Sequence, residues 1–227
     1  MATDARPRLL EFLNCQAYLL QYQGDADKMQ QLMPREYAPT ILVANVEIVG
    51  LNVYSCLSVV IDGRTVIKDV RFFTVTAGVT APSDIAGPDG QDDYEFEQVV
   101  TAPEVQDAFR RNGFHAALGD VKIATTAQIL QATFTRDGGA LYEYTGAGLL
   151  GNGSATFSIA SRVHQANETM RAWYDLSYNL HAPSVLGEVG LLTTHGGAIE
   201  ATKLFLGNVA PINSGVGWID FTVSFPQ

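Results

Sequence analysis

The sequence predicts a mainly β (α+β) fold: a closed antiparallel barrel or cone with short flanking helices, in one domain that spans residues 1–227. Three observations predict this fold class. Short segments in which apolar and polar residues alternate recur along most of the chain. Turn residues such as Asp62-Gly63 separate these segments. Apolar residues recur at helical spacing only in two brief segments, 25–33 and 103–112.

The first half of the chain is predicted to place one helix among strands. A strand precedes Gly24, Asp25 then begins the helix, and Pro34 ends it. Residues 40–60 are predicted to form two strands that separate near Gly50. Residues 80–93, rich in Gly, Pro and Asp, are predicted to form a loop.

The second half is predicted to contain one helix followed by strands. Pro103 suits the first turn of that helix, and Gly113 suits its left-handed end. Strand patterns resume after Gly119 and continue to the end of the chain. Residues 181–197 interrupt them, and their many glycines and threonines predict a loop or lid.

Lys122 is the first candidate catalytic residue. Strand alternation places it opposite to Val121 and Ile123, among small and apolar neighbours. Burial disfavours an ammonium group, and a lysine that is neutral near pH 7 can form a Schiff base with a carbonyl compound. The alternative is a lysine on a solvated strand face, with its stem on apolar surface and its head in water. The local sequence leaves both interpretations open.

Carboxylates on predicted strands form a second group of candidates: Glu47, Glu95, Glu97 and Glu143. Glu97 is the second candidate catalytic residue, because it precedes the helix that leads to Lys122. Aromatic residues are also frequent on the strands, and alternation turns about half of them inward. They fill a barrel core or line a pocket, and the candidates for substrate binding are Phe72, Phe73, Tyr94, Tyr144 and Trp173.

Composition limits the partners that we expect. Apolar residues make up 47% of the chain and charged residues 17%, so the surface is poor in charge and self-association into a homo-oligomer is expected. The net charge of -10 disfavours nucleic acid and anionic membranes as partners. We therefore expect a small molecule as the partner of this chain.

The cysteines and the N-terminus predict a cytoplasmic protein. Cys15 and Cys56 lie in apolar, strand-like surroundings and are interpreted as buried thiols of a reducing compartment. The first twenty or so residues lack the apolar core of a signal peptide, and no apolar run of about 18 residues occurs.

Motifs for several other reaction classes are missing or out of context. Gly146, Gly148 and Gly151 match the spacing of a dinucleotide-binding loop, but no helix pattern follows them. The four histidines are scattered, and two distant cysteines do not make a zinc site. We expect neither a cofactor nor a bound metal.

Two motifs and the order of the elements resemble the acetoacetate decarboxylase superfamily. The first motif is the helix that ends in Leu-Met-Pro, here Lys28 to Pro34. The second is a Gly-x-x-Lys turn into a strand after a single helix in mid-chain, here Gly119 to Lys122. In that family the turn is Gly-aromatic-Pro-Lys-Lys, and the resemblance places Lys122 at the Schiff-base position.

The resemblance implies an enzyme that acts on a small or medium hydrophobic oxo compound, a β-keto acid or an aldehyde. The second lysine of the family motif is Ile123 here and its proline is Val121, so burial would have to lower the pKa of Lys122 without a neighbouring ammonium. Decarboxylation, aldol cleavage, dehydration and cyclisation stay open as reactions. The alternative is a barrel that binds an apolar ligand, or cyclises it, without a covalent intermediate.

Overall fold

The structure is a computed structural model of the chain, and it describes residues 6–40, 46–87, 90–125, 129–136, 139–166, 170–194 and 213–226. Ten strands and two helices lie in this part of the chain. In chain order they are β1 (Leu9–Asp25), α1 (Ala26–Leu32), β2 (Ala38–Pro39), β3 (Val46–Ile61), β4 (Thr65–Thr80), β5 (Asp92–Val100), α2 (Pro103–Arg111), β6 (Ala116–Thr125), β7 (Ile129–Arg136), β8 (Gly139–Ala166), β9 (Arg171–Thr194) and β10 (Asn213–Ser224).

Seven of the strands close into a barrel, which confirms the predicted fold class. Their order is β4-β3-β1-β10-β9-β8-β5, and pairing between β4 and β5 closes the ring. The pairings of β5 with β8 and with β6 are parallel, whereas the other described pairings are antiparallel. The parallel step from β5 to β6 exists because α2 carries the chain back across the sheet.

The barrel strands separate two apolar cores. The inner core lies inside the barrel and receives side chains from all seven barrel strands, such as Phe12, Tyr54, Phe72 and Phe221. The outer core lies on the other face of β1, β3, β4 and β5, where α1, β6, β7 and the first half of β8 cover it. Strand alternation therefore assigns the buried side chains of β1, β3 and β4 to one core or the other.

Helix α2 seals one end of the inner core. Pro103 occupies its first turn, and Gly113 follows it with a φ of +92°, as the sequence predicts. Its buried residues Val105, Ala108 and Phe109 pack in the inner core together with Phe114. The segment that enters β6 thus closes the barrel with apolar side chains.

Two predicted interruptions of strands are wrong. β3 runs unbroken through Gly50, which pairs with Gln21 on β1 and Thr76 on β4, because both neighbouring strands continue past it. Residues 181–194 belong to β9 and not to a loop, because they pair along β8. The remainder of the predicted lid, 195–197, lies outside the described residues.

Cys15 and Cys56 form a disulfide, so the prediction of free thiols is wrong. They lie directly opposite each other in the pairing of β1 with β3, and this register brings together cysteines that are 41 residues apart in the chain. The disulfide removes the argument on which the expected reducing compartment rested. Within the described residues, no helix is both long and apolar enough to cross a membrane.

Candidate functional site

A cleft of about 450 Å³ opens into the barrel above the inner core. Its volume lies within the range of small-molecule sites, and its wall mixes aromatic, hydroxyl, amide and carboxyl side chains. No lysine or arginine lines it in the part of the chain that the structure describes. The polar and aromatic residues that line the cleft include Glu47, Tyr54, Phe72, Thr76, Asp93 and Tyr174.

Pairing between β3 and β4 arranges this wall in layers. Tyr54 pairs with Phe72 at the floor, and their rings stack with centroids 4.5 Å apart. Asn52 lies nearer the mouth and donates a hydrogen bond of 3.3 Å from Nδ2 to Thr76 Oγ1. The accepting Thr76 hydroxyl keeps its own hydrogen to donate, so the wall offers hydrogen-bond donors above an aromatic floor.

Glu47 and Asp93 bring two carboxyl groups to the cleft, and we call them the carboxyl pair. Glu47 is 3% exposed, and its Oε2 has no hydrogen-bond partner among the described residues. Burial raises the pKa of Glu47, and the charge of Asp93 raises it further. Burial likewise raises the pKa of Asp93, although Ser161 donates a hydrogen bond that favours its ionised form. Both groups therefore hold a proton at higher pH than ordinary carboxyls do.

Asp92, next to this pair, has structural partners. Its Oδ1 lies 2.7 Å from Nε2 of His164 and accepts a hydrogen bond of 2.8 Å from the backbone of Gly87. Burial lowers the pKa of His164 although Asp92 opposes the shift. Asp92 thus holds the loop before β5 against β8.

Glu95 lies on the barrel face of β5, deeper than the cleft surface. Its Oε2 accepts a hydrogen bond of 3.2 Å from the hydroxyl of Tyr174, which does line the cleft. Gln165 Nε2 lies 3.5 Å from its other oxygen. Burial raises the pKa of Glu95 to about 8 although the bond from Tyr174 opposes this rise.

Gln98 follows on the same face, directly opposite Thr74 in the pairing of β5 with β4. Its side chain is fully buried, and neither atom of its carboxamide has a hydrogen-bond partner among the described residues. A buried amide without partners costs free energy, so Gln98 is a polar residue that the packing alone does not explain.

Glu97, a predicted catalytic residue, lies outside the barrel in the outer core. A β-bulge makes this possible: Glu95 pairs with Thr76 and Glu97 with Val75, which leaves Phe96 as the extra residue. The Oε1 of Glu97 lies 3.3 Å from Nη1 of Arg136. Burial raises the pKa of Glu97 to about 7, and the guanidinium of Arg136 opposes the rise.

Lys122, the other predicted catalytic residue, points to solvent. Its side chain is 72% exposed, and its Nζ lies 3.3 Å from Oδ2 of Asp120. The expected alternation is correct, but the buried position on β6 belongs to Val121, which packs in the outer core. Of the two interpretations that the sequence leaves open for Lys122, the structure shows the solvated one, and it does not bring Lys122 and Glu97 together in one site.

Among the five predicted substrate-binding aromatics, Phe72 lines the cleft. Phe73 and Tyr144 pack in the outer core. Tyr94 also lies there, and its hydroxyl donates a hydrogen bond of 2.7 Å to the carbonyl of Ala166. Trp173 packs against the outer core with the guanidinium of Arg162 above its ring.

Sequence reasoning missed the importance of the carboxyl pair. Glu47 is one of four strand carboxylates that the sequence does not distinguish from one another, and the sequence predicts Asp93 at the end of a loop. The signal that joins them is the closure of the barrel between β4 and β5, which no local pattern reveals. No group of three or more His, Cys, Asp or Glu side chains in the described ranges is arranged to hold a metal ion.

The architecture and the cleft define a class: a closed mainly-β barrel with a ligand-sized cavity that opens at one end. Comparison with protein-family models and with curated protein sequences finds no match. Solved structures do match along almost the whole chain. An acetoacetate decarboxylase from Legionella pneumophila superposes with a TM-score of 0.65 and 13% identity, over 98% of this chain and 88% of that chain.

Two further structures match in the same way. An acetoacetate decarboxylase-like enzyme from Sphingomonas wittichii has a TM-score of 0.62 and 10% identity, over 98% of this chain and 94% of its own. The third is the enduracididine biosynthesis enzyme MppR, complexed with the condensation product of pyruvate and imidazole 4-carboxaldehyde. It has a TM-score of 0.55 and 11% identity, over 97% of this chain and 87% of that chain. The chain has the acetoacetate decarboxylase fold, as its sequence motifs predicted.

Proposed function

We propose that this protein is an acetoacetate decarboxylase-like enzyme that binds a small or medium hydrophobic oxo compound in the barrel cleft and acts on it by acid–base chemistry. One observation carries the proposal. Two carboxyl groups of raised pKa, Glu47 and Asp93, face the same cleft, and no lysine lines it in the described part of the chain. Carboxyls with raised pKa in a cavity are frequent acids and bases in enzymes.

The proposed chemistry begins with enolisation. The ionised member of the carboxyl pair removes a proton from the carbon next to the carbonyl. The electron pair of that C–H bond forms the new carbon–carbon double bond, and the π pair of the carbonyl bond moves to the oxygen. The Thr76 hydroxyl and the Asn52 amide line the cleft and supply hydrogen-bond donors for the resulting enolate. Dehydration and aldol-type cyclisation proceed from such an enolate, and aldol cleavage releases one, so the reaction class stays open among them.

A Schiff base on Lys122 is not part of this proposal, because the exposed ammonium of Lys122 lies beside Asp120 and away from the cleft. The other lysines in the described residues, Lys28 and Lys68, are also on the surface. A covalent mechanism would therefore need an amine from outside the described residues.

A second candidate function is non-covalent binding or folding of an apolar ligand. The stacked rings of Tyr54 and Phe72 at the floor of the cleft favour it, since they offer an apolar surface without reactive groups. The two functions differ in turnover: a binding protein holds the ketone, whereas an enzyme exchanges its α-protons.

The experiment follows hydrogen–deuterium exchange at the methyl ketone of 4-methylacetophenone in D₂O by proton NMR. We expect the wild-type protein to exchange these protons faster than buffer, and Glu47→Gln to lower the protein-dependent rate about 100-fold, the usual range for a general base. Glu104→Gln, an exposed carboxylate on α2, is the matched control and should leave the rate unchanged. Saturable binding without exchange would support the second candidate and contradict the first.

A further inference from the structure

The charge of the residues that line the cleft limits which oxo compounds the cleft can bind. Glu47, Asp92 and Asp93 line the cleft, and the carboxyl group of Asp92 is turned to His164 and the Gly87 backbone. No cationic side chain from the described residues faces them there. Arg162, which lies nearby on β8, is bound to Asp175 and to the carbonyls of Ile85 and Ala86.

The internal partners of these carboxyls are unequal. Asp92 is held by His164 and by the Gly87 backbone, and Asp93 accepts a hydrogen bond from Ser161. Glu47 accepts one from the backbone of Ile48, but its Oε2 has no partner among the described residues although the side chain is only 3% exposed. A buried carboxylate oxygen without a partner costs free energy, and a hydrogen-bond donor carried by a ligand in the cleft would offset this cost.

Aromatic rings lie below the carboxyl pair. Tyr54 and Phe72 stack at the floor, and Tyr174 lines the cleft beside them. Aromatic faces attract organic cations, and a carboxylate next to an aromatic wall is a common arrangement for binding an amine. The same surface repels an anion, because each carboxyl group that ionises adds negative charge near it.

We propose that the natural ligand of the cleft is an amino ketone or a related oxo compound that carries a positive charge, and that its ammonium group binds between the carboxyl groups of Glu47 and Asp93. This inference rests on the proposed function and names the substrate class of the same site. The bound ammonium group favours the ionised form of both carboxyl groups, so one carboxylate stays available as the base for the α-proton. A β-keto acid, whose carboxylate would face the carboxyl pair, is a poor ligand for this cleft.

The test uses three probes with one skeleton: 4-acetylbenzylamine, which is cationic, 4-methylacetophenone, which is neutral, and 4-acetylbenzoate, which is anionic. Calorimetry at pH 7.5 measures the dissociation constant of each for the full chain. We expect 4-acetylbenzylamine to bind at least tenfold more tightly than 4-methylacetophenone, and 4-acetylbenzoate to bind more weakly than both. Glu47→Gln and Asp93→Asn should each reduce the preference for the amine at least fivefold, and Glu104→Gln should not.

Equal affinities for the three probes, or tighter binding of 4-acetylbenzoate, would overturn the inference. Neutral ketone exchange in the wild type, together with no preference for the amine, would leave the proposed function standing and remove only the charge inference. Preferred binding of the amine without α-proton exchange of any probe would remove the proposed function and leave the charge inference standing. If Glu47→Gln does not fold, Asp93→Asn and the three affinities of the wild type still decide the question.

Discussion

Val121 and Lys122 are neighbours on β6 that project to opposite faces, with Val121 buried in the outer core and Lys122 in solvent beside Asp120. This arrangement argues against a Schiff base at Lys122, because its ammonium group lies in solvent beside Asp120 and away from the cleft.

The first prediction therefore concerns Lys122. We expect Lys122→Met to keep the α-proton exchange rate within about twofold of wild type, since the residue lies away from the cleft. Borohydride added in the presence of 4-methylacetophenone should leave Lys122 unmodified in a peptide mass map. A reduced adduct on Lys122, lost in the methionine variant, would contradict the proposed acid–base mechanism.

The second prediction is the pH dependence of exchange. A general base works when ionised, and burial together with Asp93 raises the pKa of Glu47 above its ordinary value of 4.5. Exchange should therefore fall as pH drops through a midpoint that lies above 4.5. Glu47→Gln should remove this limb from the pH–rate profile, and an unchanged limb in that variant would assign the base to another residue.

The third prediction is the pH dependence of stability at Glu95. Burial raises the folded-state pKa of Glu95 from 4.5 to about 8, so the folded protein holds this proton more tightly than the unfolded chain does. The contribution to the free energy of unfolding is fully present below pH 4.5 and is lost as pH rises towards about 8.

Glu95→Gln mimics the protonated acid and should flatten this decline. At pH 9 we expect the variant to be more stable than wild type by roughly 2 to 4 kcal/mol, from the size of the pKa shift. Urea unfolding of both proteins between pH 5 and pH 9 measures this difference in the free energy of unfolding. A variant that loses stability at every pH would show that Glu95 is ionised and paired in the folded protein.

The fourth prediction concerns two buried glutamines. Gln98→Met should raise the free energy of unfolding by about 1 to 3 kcal/mol, because it removes a buried amide without partners among the described residues. Gln165→Met is the matched control and should lower the free energy of unfolding by a similar amount. The backbone of His115 donates to Gln165 Oε1, and the Gln165 amide reaches Glu95. Equal destabilisation by both changes would show that Gln98 is hydrogen bonded.

Local patterns predicted most elements of this fold but not the site. The ends of α1 and α2 and the hairpin at Asp62-Gly63 are encoded within a few residues, and the structure confirms them. The alternation around Lys122 was also predicted correctly, but alternation does not tell which of two faces is buried when cores lie on both sides of a sheet.

Long-range pairing between strands determined the positions of the site residues and the disulfide. The bulge at Phe96 turns Glu97 out of the barrel and leaves Glu95 inside it, and one extra residue in a strand has no signature in an isolated sequence. The disulfide between Cys15 and Cys56 likewise depends on the register between β1 and β3. The carboxyl pair forms because β3, β4 and β5 are neighbours in the closed barrel.

The central claim is that Glu47 is a ligand-facing carboxyl of raised pKa. The most direct test is a ¹³C NMR titration of the side-chain carboxyl of Glu47 in glutamate-labelled protein, assigned by the loss of its signal in Glu47→Gln. We expect a pKa of Glu47 above 4.5 in the free protein, and a lower pKa with a displaced signal when 4-acetylbenzylamine is bound. A pKa at or below 4.5, with a signal that the amine leaves unchanged, would contradict it.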